Sequence, residues 1–282
     1  MPNQRKTETP DVVVARIHLA FETLRLPKVR ERFDEILAAP RQDLTRIEWL
    51  HEILDLQVRT RIESRIERRI RESKLPERKT LAAFDFDFQS KLDKDLVLEL
   101  GTLAFLDQGR NLLLAGWSGT GKSHLAMAIA LSACVANRRV RYTTNADMLS
   151  TLNASLAADT LPRTVKRYTL PELLVIDEVG LEQVERRIAN RAGLMQKVLI
   201  PRHNERRSTI ITSNIPFKEW GDYLGDQLGA SAILDRLIHY SHVIVIEGPS
   251  WREHEHKQDV ETARRRPVRR KRAKGKPAKD QT

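Results

Sequence analysis

The sequence contains a single cysteine, Cys134, and no long hydrophobic run. One cysteine excludes a disulfide within the chain and argues against a cysteine-based metal cluster, so we expect Cys134 to be a small core residue. No segment approaches the roughly 20 apolar residues that a membrane-spanning helix needs, and the polar residues 1–6 lack the apolar centre of a signal peptide. These absences predict a cytoplasmic protein without a membrane partner.

Acidic residues are missing from residues 264–279, which hold ten Lys and Arg residues of a chain whose net charge is +11. Because this stretch also contains Pro267, Gly275 and Pro277, we predict that residues 251–282 form a disordered basic tail. A flexible polycation suits the phosphate backbone of DNA, although solubility or an acidic partner protein would also explain the charge. The candidate DNA contacts in the tail are Arg264, Arg265, Arg266, Arg269, Arg270, Lys271 and Arg272.

Residues 116–123 read Gly-Trp-Ser-Gly-Thr-Gly-Lys-Ser, which matches the phosphate-binding pattern G-x-x-x-x-G-K-[ST]. An apolar stretch typical of a buried strand precedes this loop, and a run of helix-forming residues follows it. In such a loop the backbone N–H groups surround a polyphosphate, the lysine reaches the β and γ phosphates, and the serine can hold Mg²⁺. The predicted nucleotide-binding residues are Gly116, Ser118, Gly119, Thr120, Gly121, Lys122, Ser123 and His124.

A second apolar strand ends in two acids, Asp177 and Glu178. In this arrangement the first carboxylate holds Mg²⁺ together with Ser123, and the second polarises a water molecule. The pair therefore favours hydrolysis of the nucleotide over its storage. Because the sequence has no N-K-x-D signature for guanine, we expect ATP and Mg²⁺ as the cofactors.

Residues 1–80 are predicted to form a small all-helical N-terminal domain, and residues 81–95 an aromatic connector. Five apolar residues recur every four positions and indicate one apolar seam along a long helix. They are Leu54, Val58, Ile62, Ile66 and Ile70. The arginines beside the seam form either a solvated face or a surface for DNA or a partner protein, and the candidates for DNA are Arg59, Arg65 and Arg69.

Residues 96–250 alternate between predicted strands and helices, which indicates a three-layer α/β domain with a mainly parallel five-stranded sheet. The predicted strands are residues 112–115, 140–143, 173–177, 209–212 and 243–247. Only 34 mostly charged residues follow Gly248, so we expect no C-terminal helical lid.

Several short segments, in order along the chain, are similar to a known protein family. They are Phe84–Phe86, the phosphate-binding loop, Arg141–Asp147, Leu174–Glu178, Ser208–Asn214, Trp220–Gly221 and Leu234–His239. Together they resemble the IstB family, AAA+ helper ATPases of insertion sequences that are related to bacterial helicase loaders. The resemblance covers about residues 20–252. It implies an AAA+ P-loop NTPase without a C-terminal lid, homo-oligomers with ATP at the subunit interfaces, duplex DNA as a ligand, and a transposase encoded with the protein.

The resemblance also implies roles for single residues. Asn214 matches the polar sensor that hydrogen-bonds the attacking water or the γ-phosphate, although a loop asparagine at a turn fits as well. Arg236 matches the arginine finger, a cation supplied in trans to the neighbouring subunit's nucleotide. Arg202, Arg206 and Arg207 are rival candidates, because they lie just before the fourth strand. The predicted catalytic residues are Glu178, Asn214 and Arg236.

Lys166 and Arg167 are further candidates for DNA, although a charged helix face explains them equally well. Taken together, the features predict an ATPase that assembles on duplex DNA without sequence preference and recruits or activates a transposase, with hydrolysis controlling assembly. Two alternatives stay open: a helicase-loader ATPase that acts on a replicative helicase and single-stranded DNA, and an architectural DNA-binding protein that uses ATP only as a structural switch.

Overall fold

The computed structural model describes residues 9–38, 45–180 and 188–265. Its helices are α1 (Pro10–Thr23), α2 (Pro27–Ala38), α3 (Arg46–Ser73), α4 (Lys94–Gly101), α5 (Ala104–Asp107), α6 (Lys122–Val135), α7 (Asn145–Ala157), α8 (Leu161–Thr169), α9 (Arg191–Asn204), α10 (Trp220–Leu224), α11 (Gln227–His239) and α12 (Trp251–Arg265). Its strands are β1 (Asn111–Gly116), β2 (Val140–Thr144), β3 (Leu173–Val179), β4 (Ser208–Ser213) and β5 (Ser241–Ile246). Among these helices, none combines the length and the apolar character of a membrane-spanning segment.

The five strands form one sheet in the order β2-β3-β4-β1-β5, and all the pairings are parallel. Each predicted strand is present, with its ends within two residues of the prediction. Because the strands are parallel, their carboxyl ends share one edge, where ligands bind in open α/β sheets. The phosphate-binding loop and the Asp177-Glu178 pair therefore lie at the same edge.

Helices cover both faces of the sheet, which confirms the three-layer α/β prediction. Successive residues of β1 point to opposite faces, so that Leu112 and Leu114 pack in one core and Leu113 in the other. The first core includes α6 and the fully buried Cys134, as expected for a small core residue. The second core includes residues of α7, α9 and α11.

Helix α3 joins the N-terminal helices to the sheet domain. Ile53 is buried in a small cluster with residues of α2, whereas Ile70 is buried in the core beside α6. The predicted single seam is wrong in its first part, because Leu54, Val58 and Ile62 remain 48–51% exposed. A step of four residues exceeds one helical turn of 3.6 residues, so the row of apolar residues rotates about 40° around the helix at each step. Such a row cannot face the same neighbouring element along the whole helix.

Residues 251–265 form helix α12, so the prediction of disorder from residue 251 is wrong for these residues. Charge composition indicated disorder, but tertiary contacts fix the first turn of α12. The backbone N–H of Trp251 donates to the Gly119 carbonyl at 2.9 Å, and the Trp251 ring lies edge-on to Phe88 with centroids 4.8 Å apart. The remaining basic candidates lie outside the described residues: Arg266, Arg269, Arg270, Lys271 and Arg272.

Candidate nucleotide-binding site

The phosphate-binding loop connects β1 to α6, and its glycines have positive φ angles that other residues rarely adopt. A Cβ atom on Gly121 would lie 2.6 Å from the Phe84 ring, and one on Gly119 would lie 2.1 Å from Ser250 Oγ. Glycine at these two positions therefore lets the aromatic connector and the segment before α12 approach the loop closely. Thr120, which is buried, donates from its hydroxyl to the Trp117 carbonyl at 2.9 Å and fixes the loop from inside.

Lys122, the first residue of α6, is folded back into the loop. Its Nζ donates to the carbonyl oxygens of Gly116 (2.9 Å) and Trp117 (2.8 Å). Burial lowers the pKa of Lys122 to about 8, and repulsion by Arg252 acts in the same direction, whereas the negative charge of Asp177 opposes the shift. Among the described residues no carboxylate lies within ion-pair distance of Lys122 Nζ, so an incoming polyphosphate would supply its missing counter-charge.

Asp177 is 2% exposed and accepts hydrogen bonds from three hydroxyl groups. Ser123 Oγ donates to its Oδ1 at 2.9 Å, Thr212 donates to the same oxygen, and Tyr142 donates to Oδ2. Burial, together with the charge of Asp177, raises the pKa of the Tyr142 hydroxyl. The Ser123–Asp177 pair was predicted as a metal site, and the adjoining hydroxyl and carboxylate oxygens fit a hard cation such as Mg²⁺.

Sequence reasoning gave no role to Thr212 and Tyr142. They lie on β2 and β4, the strands that flank β3. Each of these strands contains several polar residues, so no local pattern singles out these two hydroxyls. Only the strand order, however, shows that the two hydroxyls meet one carboxylate from opposite sides.

Glu178 has a φ of +64°, the left-handed region that costs a residue with a side chain about 1–2 kcal/mol. It lies in a register shift between Ile176 and Val179, where β3 bulges away from β4. Its N–H donates to Thr212 Oγ1 at 2.8 Å, which fixes the backbone in this conformation. Strained residues and bulges concentrate at functional sites, where they redirect a side chain, and Glu178 lines the cavity above the loop.

The cavity has a volume of about 580 Å³, within the usual range for small-molecule sites. It brings together most of the predicted nucleotide-binding residues with Glu178 and Asn214, whose N–H donates to the Val179 carbonyl at 3.0 Å. His124 also lines it, with Nε2 3.0 Å from the Thr80 carbonyl. The other walls of the cavity were not predicted from the sequence. They include Phe88 of the connector and, in the first two turns of α12, Trp251, Arg252 and Glu255.

Arg236 lies far from this cavity within the same subunit. It is half-buried in the last turn of α11, where it donates to the Ala232 carbonyl at 2.8 Å and borders a small cavity with Asn111, the first residue of β1. The loop begins at the other end of β1, about 17 Å away at 3.3 Å per residue. In the described part of the chain, Arg236 has no ion pair with Asp235 or any other acid. The geometry therefore excludes a role for Arg236 at its own subunit's nucleotide.

Arg202, a rival for that role, is 1% exposed and structural. Its guanidinium donates to backbone carbonyls at the end of α8 and beyond, including those of Tyr168 (2.9 Å) and Pro171 (2.8 Å). It also donates to Thr209 Oγ1 at 3.0 Å. A buried cation with this set of acceptors cannot reach a neighbouring subunit, so the interpretation of Arg202 as a trans-acting cation is wrong. Arg206 is exposed and lies over the Tyr240 ring, 5.4 Å from its centroid.

The basic candidates for DNA differ in how they are engaged. Arg59 is paired with Asp55 at 2.6 Å, and Arg69 donates to Asn137 Oδ1 at 3.2 Å, in the contact between α3 and the end of α6. Arg65 is exposed on α3, and Lys166 and Arg167 are exposed on α8. Arg59 and Arg69 thus have partners in the same chain, whereas Arg65, Lys166 and Arg167 are exposed to a ligand or to solvent.

Comparison with known proteins identifies relatives along most of the chain. Residues 20–259 match the family described as IstB-like ATP binding protein. An ATP-binding protein of insertion sequence IS21 from Pseudomonas aeruginosa is 35% identical over 242 residues, which cover 86% of this chain and 88% of the relative. An ATP-binding protein of insertion sequence IS5376 from Geobacillus stearothermophilus is 33% identical over 238 residues, 84% of this chain and 93% of the relative.

Among solved structures, the replication initiator DnaA bound to AMPPCP and single-stranded DNA superposes with a TM-score of 0.50 at 21% identity. The match covers 67% of this chain and 56% of that one, so this chain spans just over half of the initiator's length. At this identity the similarity concerns the fold alone, which is the AAA+ P-loop fold that the sequence predicted.

Proposed function

Because the chain belongs to the family of IstB-like ATP binding proteins, we propose that it is a Mg²⁺-dependent ATPase that assembles on duplex DNA and recruits or activates a transposase. The observation that carries the ATPase proposal is the convergence of Lys122, Ser123, Glu178 and Asn214 on one cavity. The setting in transposition is supported by the relatives, which are named as ATP-binding proteins of insertion sequences.

In this proposal each polar group has a separate task. Lys122 and the loop N–H groups bind the phosphates, and Ser123 and Asp177 hold Mg²⁺, which when bound neutralises charge on the phosphate oxygens. Glu178 orients the attacking water and accepts its proton, and the Asn214 amide hydrogen-bonds the same water or the γ-phosphate. The left-handed backbone at Glu178 aims its carboxylate into the cavity rather than into the sheet.

Arg236 completes the site of a neighbouring subunit. Its own nucleotide is out of reach, and a positive side chain at the opposite end of the sheet is suited to meet the phosphates of an adjacent copy. ATP between subunits then favours assembly, and assembly multiplies weak contacts with DNA phosphates into stable binding. Hydrolysis removes the bridging γ-phosphate and resets the complex.

The chemistry is tested with two single variants. Glu178→Gln should keep ATP binding, lose turnover and accumulate the DNA-bound assembly, whereas Lys122→Ala should lose nucleotide binding itself. Nucleotide affinity is measured by calorimetry and turnover by phosphate release. Turnover in Glu178→Gln equal to that of the parent would show that Glu178 is not the base.

The trans role of Arg236 is tested by mixing variants. Arg236→Ala should bind ATP and be inactive alone, but mixtures with Glu178→Gln should recover part of the activity, since some interfaces then combine an intact Glu178 with an intact Arg236. Arg206→Ala, which removes an exposed arginine, is the matched control and should stay active. Mixtures that co-assemble without recovering activity would contradict the assignment of Arg236.

DNA binding is tested by removing residues 266–282 while keeping α12. The deletion removes eight cations and one acid. Affinity for duplex DNA should fall on every sequence. In a plot of log K against log salt concentration, the slope should become shallower by about 0.9 for each phosphate contact that is lost. Titration with single-stranded DNA of the same length separates this function from that of a helicase loader. Unchanged affinity and salt slope would show that the tail does not bind DNA.

A further inference from the structure

The first turn of α12 is fastened to the phosphate-binding loop by several contacts. Trp251 donates from its N–H to the Gly119 carbonyl at 2.9 Å, and Ser250 lies directly above Gly119. Gln89 Nε2 of the connector donates to the Pro249 carbonyl at 2.9 Å. The residue that follows Trp251 is therefore held beside the loop of its own subunit.

That residue is Arg252, and it lines the same cavity as Lys122 and Ser123. The Arg252 guanidinium and the Lys122 ammonium carry the same charge and therefore repel each other across this cavity. Among the described side chains no carboxylate lies within ion-pair distance of the Arg252 guanidinium, although Glu255 lines the cavity one turn further along α12. Two cations thus line one cavity, and neither forms an ion pair with a carboxylate of the described residues, although Glu178 and Glu255 line the same cavity.

We propose that Arg252 binds the phosphates of the nucleoside triphosphate in cis, from the subunit whose loop holds the nucleotide. The proposal rests on the ATP site argued above. An anion between Lys122 and Arg252 converts their repulsion into two attractions, and a guanidinium donates several hydrogen bonds to phosphate oxygens at once. Because Arg252 belongs to α12, the bound phosphates also tie that helix to the loop.

The first test is nucleotide affinity, measured by calorimetry with MgATP. Arg252→Ala should weaken binding about tenfold, the usual effect of losing one charge-assisted hydrogen-bonding group, and Arg252→Lys should restore part of the loss. Lys257→Ala removes the same charge from an exposed position of the same helix outside the cavity and should bind ATP like the parent. The Arg252 side chain is exposed and makes no hydrogen bond to another described residue, so its loss should leave the thermal unfolding of the nucleotide-free protein unchanged.

Equal affinities for Arg252→Ala and Lys257→Ala would overturn the proposal. Lys122→Ala is measured in the same series, because retained binding in that variant would instead remove the underlying ATP site. The two failures are therefore distinguishable.

The second test separates action in cis from action in trans. Turnover is measured at ATP concentrations near the Kd of the parent, where the weaker binding of Arg252→Ala limits it. Mixing Arg252→Ala with Glu178→Gln should not restore this loss, because every subunit with an intact Glu178 still lacks its own Arg252. Mixtures of Arg236→Ala with Glu178→Gln serve as the positive control for exchange between subunits. Recovery in the Arg252→Ala mixture would show that Arg252 acts on a neighbour and would overturn the assignment in cis.

Discussion

Thr212 connects the Asp177 carboxylate to the backbone N–H of Glu178, and its replacement by valine tests how Glu178 is held. The buried Thr212 hydroxyl donates to Asp177 Oδ1 and accepts the Glu178 N–H at 2.8 Å. Valine has nearly the same shape but no hydroxyl, so both hydrogen bonds are lost. A bond to a charged group contributes about 1.5–3 kcal/mol and a neutral one about 1 kcal/mol, and the extra methyl group offsets about 1 kcal/mol. We expect Thr212→Val to lower the free energy of unfolding by about 1.5–3 kcal/mol.

The same change should lower kcat at least about tenfold, because the bulge that aims Glu178 into the cavity then loses the hydrogen bond from the Glu178 N–H to Thr212. ATP affinity should change little, since Ser123 and Tyr142 still donate to Asp177. Thr212→Ser is the matched control, because it keeps the hydroxyl and loses only a methyl group. Unfolding is measured in urea and turnover by phosphate release. If valine and serine variants have the same kcat, the hydroxyl does not position Glu178 and this reasoning fails.

Three further predictions concern single residues. Glu178→Gly should unfold in urea with about 1 kcal/mol more stability than Glu178→Ala, because glycine adopts the positive φ freely; equal stabilities would contradict strain at this position. Affinity for ATP should fall as pH rises through about 8, by up to about tenfold per unit, because bound phosphates require the protonated form of Lys122; Lys122→Arg, which stays protonated, should show no such fall. Arg202→Met should lower the free energy of unfolding by about 3 kcal/mol or more, since several buried carbonyls lose their donor, whereas Arg206→Met should change it by less than about 0.5 kcal/mol.

Local sequence patterns predicted the sheet and the loop because the forces that form them act over a few residues. A buried parallel strand needs a short apolar run, and Leu112–Ala115 and Leu173–Ile176 are such runs with polar residues after them. The pattern G-x-x-x-x-G-K-[ST] specifies a conformation through glycines whose positive φ angles are present in the structure. In a parallel sheet the carboxyl ends of β1 and β3 lie at the same edge. Lys122, Ser123 and Glu178, which follow or end these strands, therefore line one cavity, as predicted.

The rest of the site depends on contacts between residues far apart in sequence. Gln89 meets Pro249 across 160 positions, and Tyr142 and Thr212 meet Asp177 across 35 each. No periodicity in the sequence reports such contacts. The interpretation of the chain after β5 as disordered failed for the same reason, since net charge describes how a segment interacts with solvent and not what anchors its first turn.

Arg202 shows how far residue type alone can mislead. Arg202 and Arg206 fit a trans-acting cation because they lie just before the strand that leads to Asn214, whereas Arg236 fits it by its match to a family motif, so the sequence leaves all three as candidates. Burial separates the three arginines. The buried Arg202 donates its hydrogen bonds to carbonyls at the end of α8, where the helix dipole also favours a positive charge. Its guanidinium therefore has no donor left for a ligand. Arg236 keeps a half-buried guanidinium with a single hydrogen bond among the described residues, to Ala232. A cation that stabilises a transition state must exchange partners during the cycle, and only a weakly engaged one can do so at low cost.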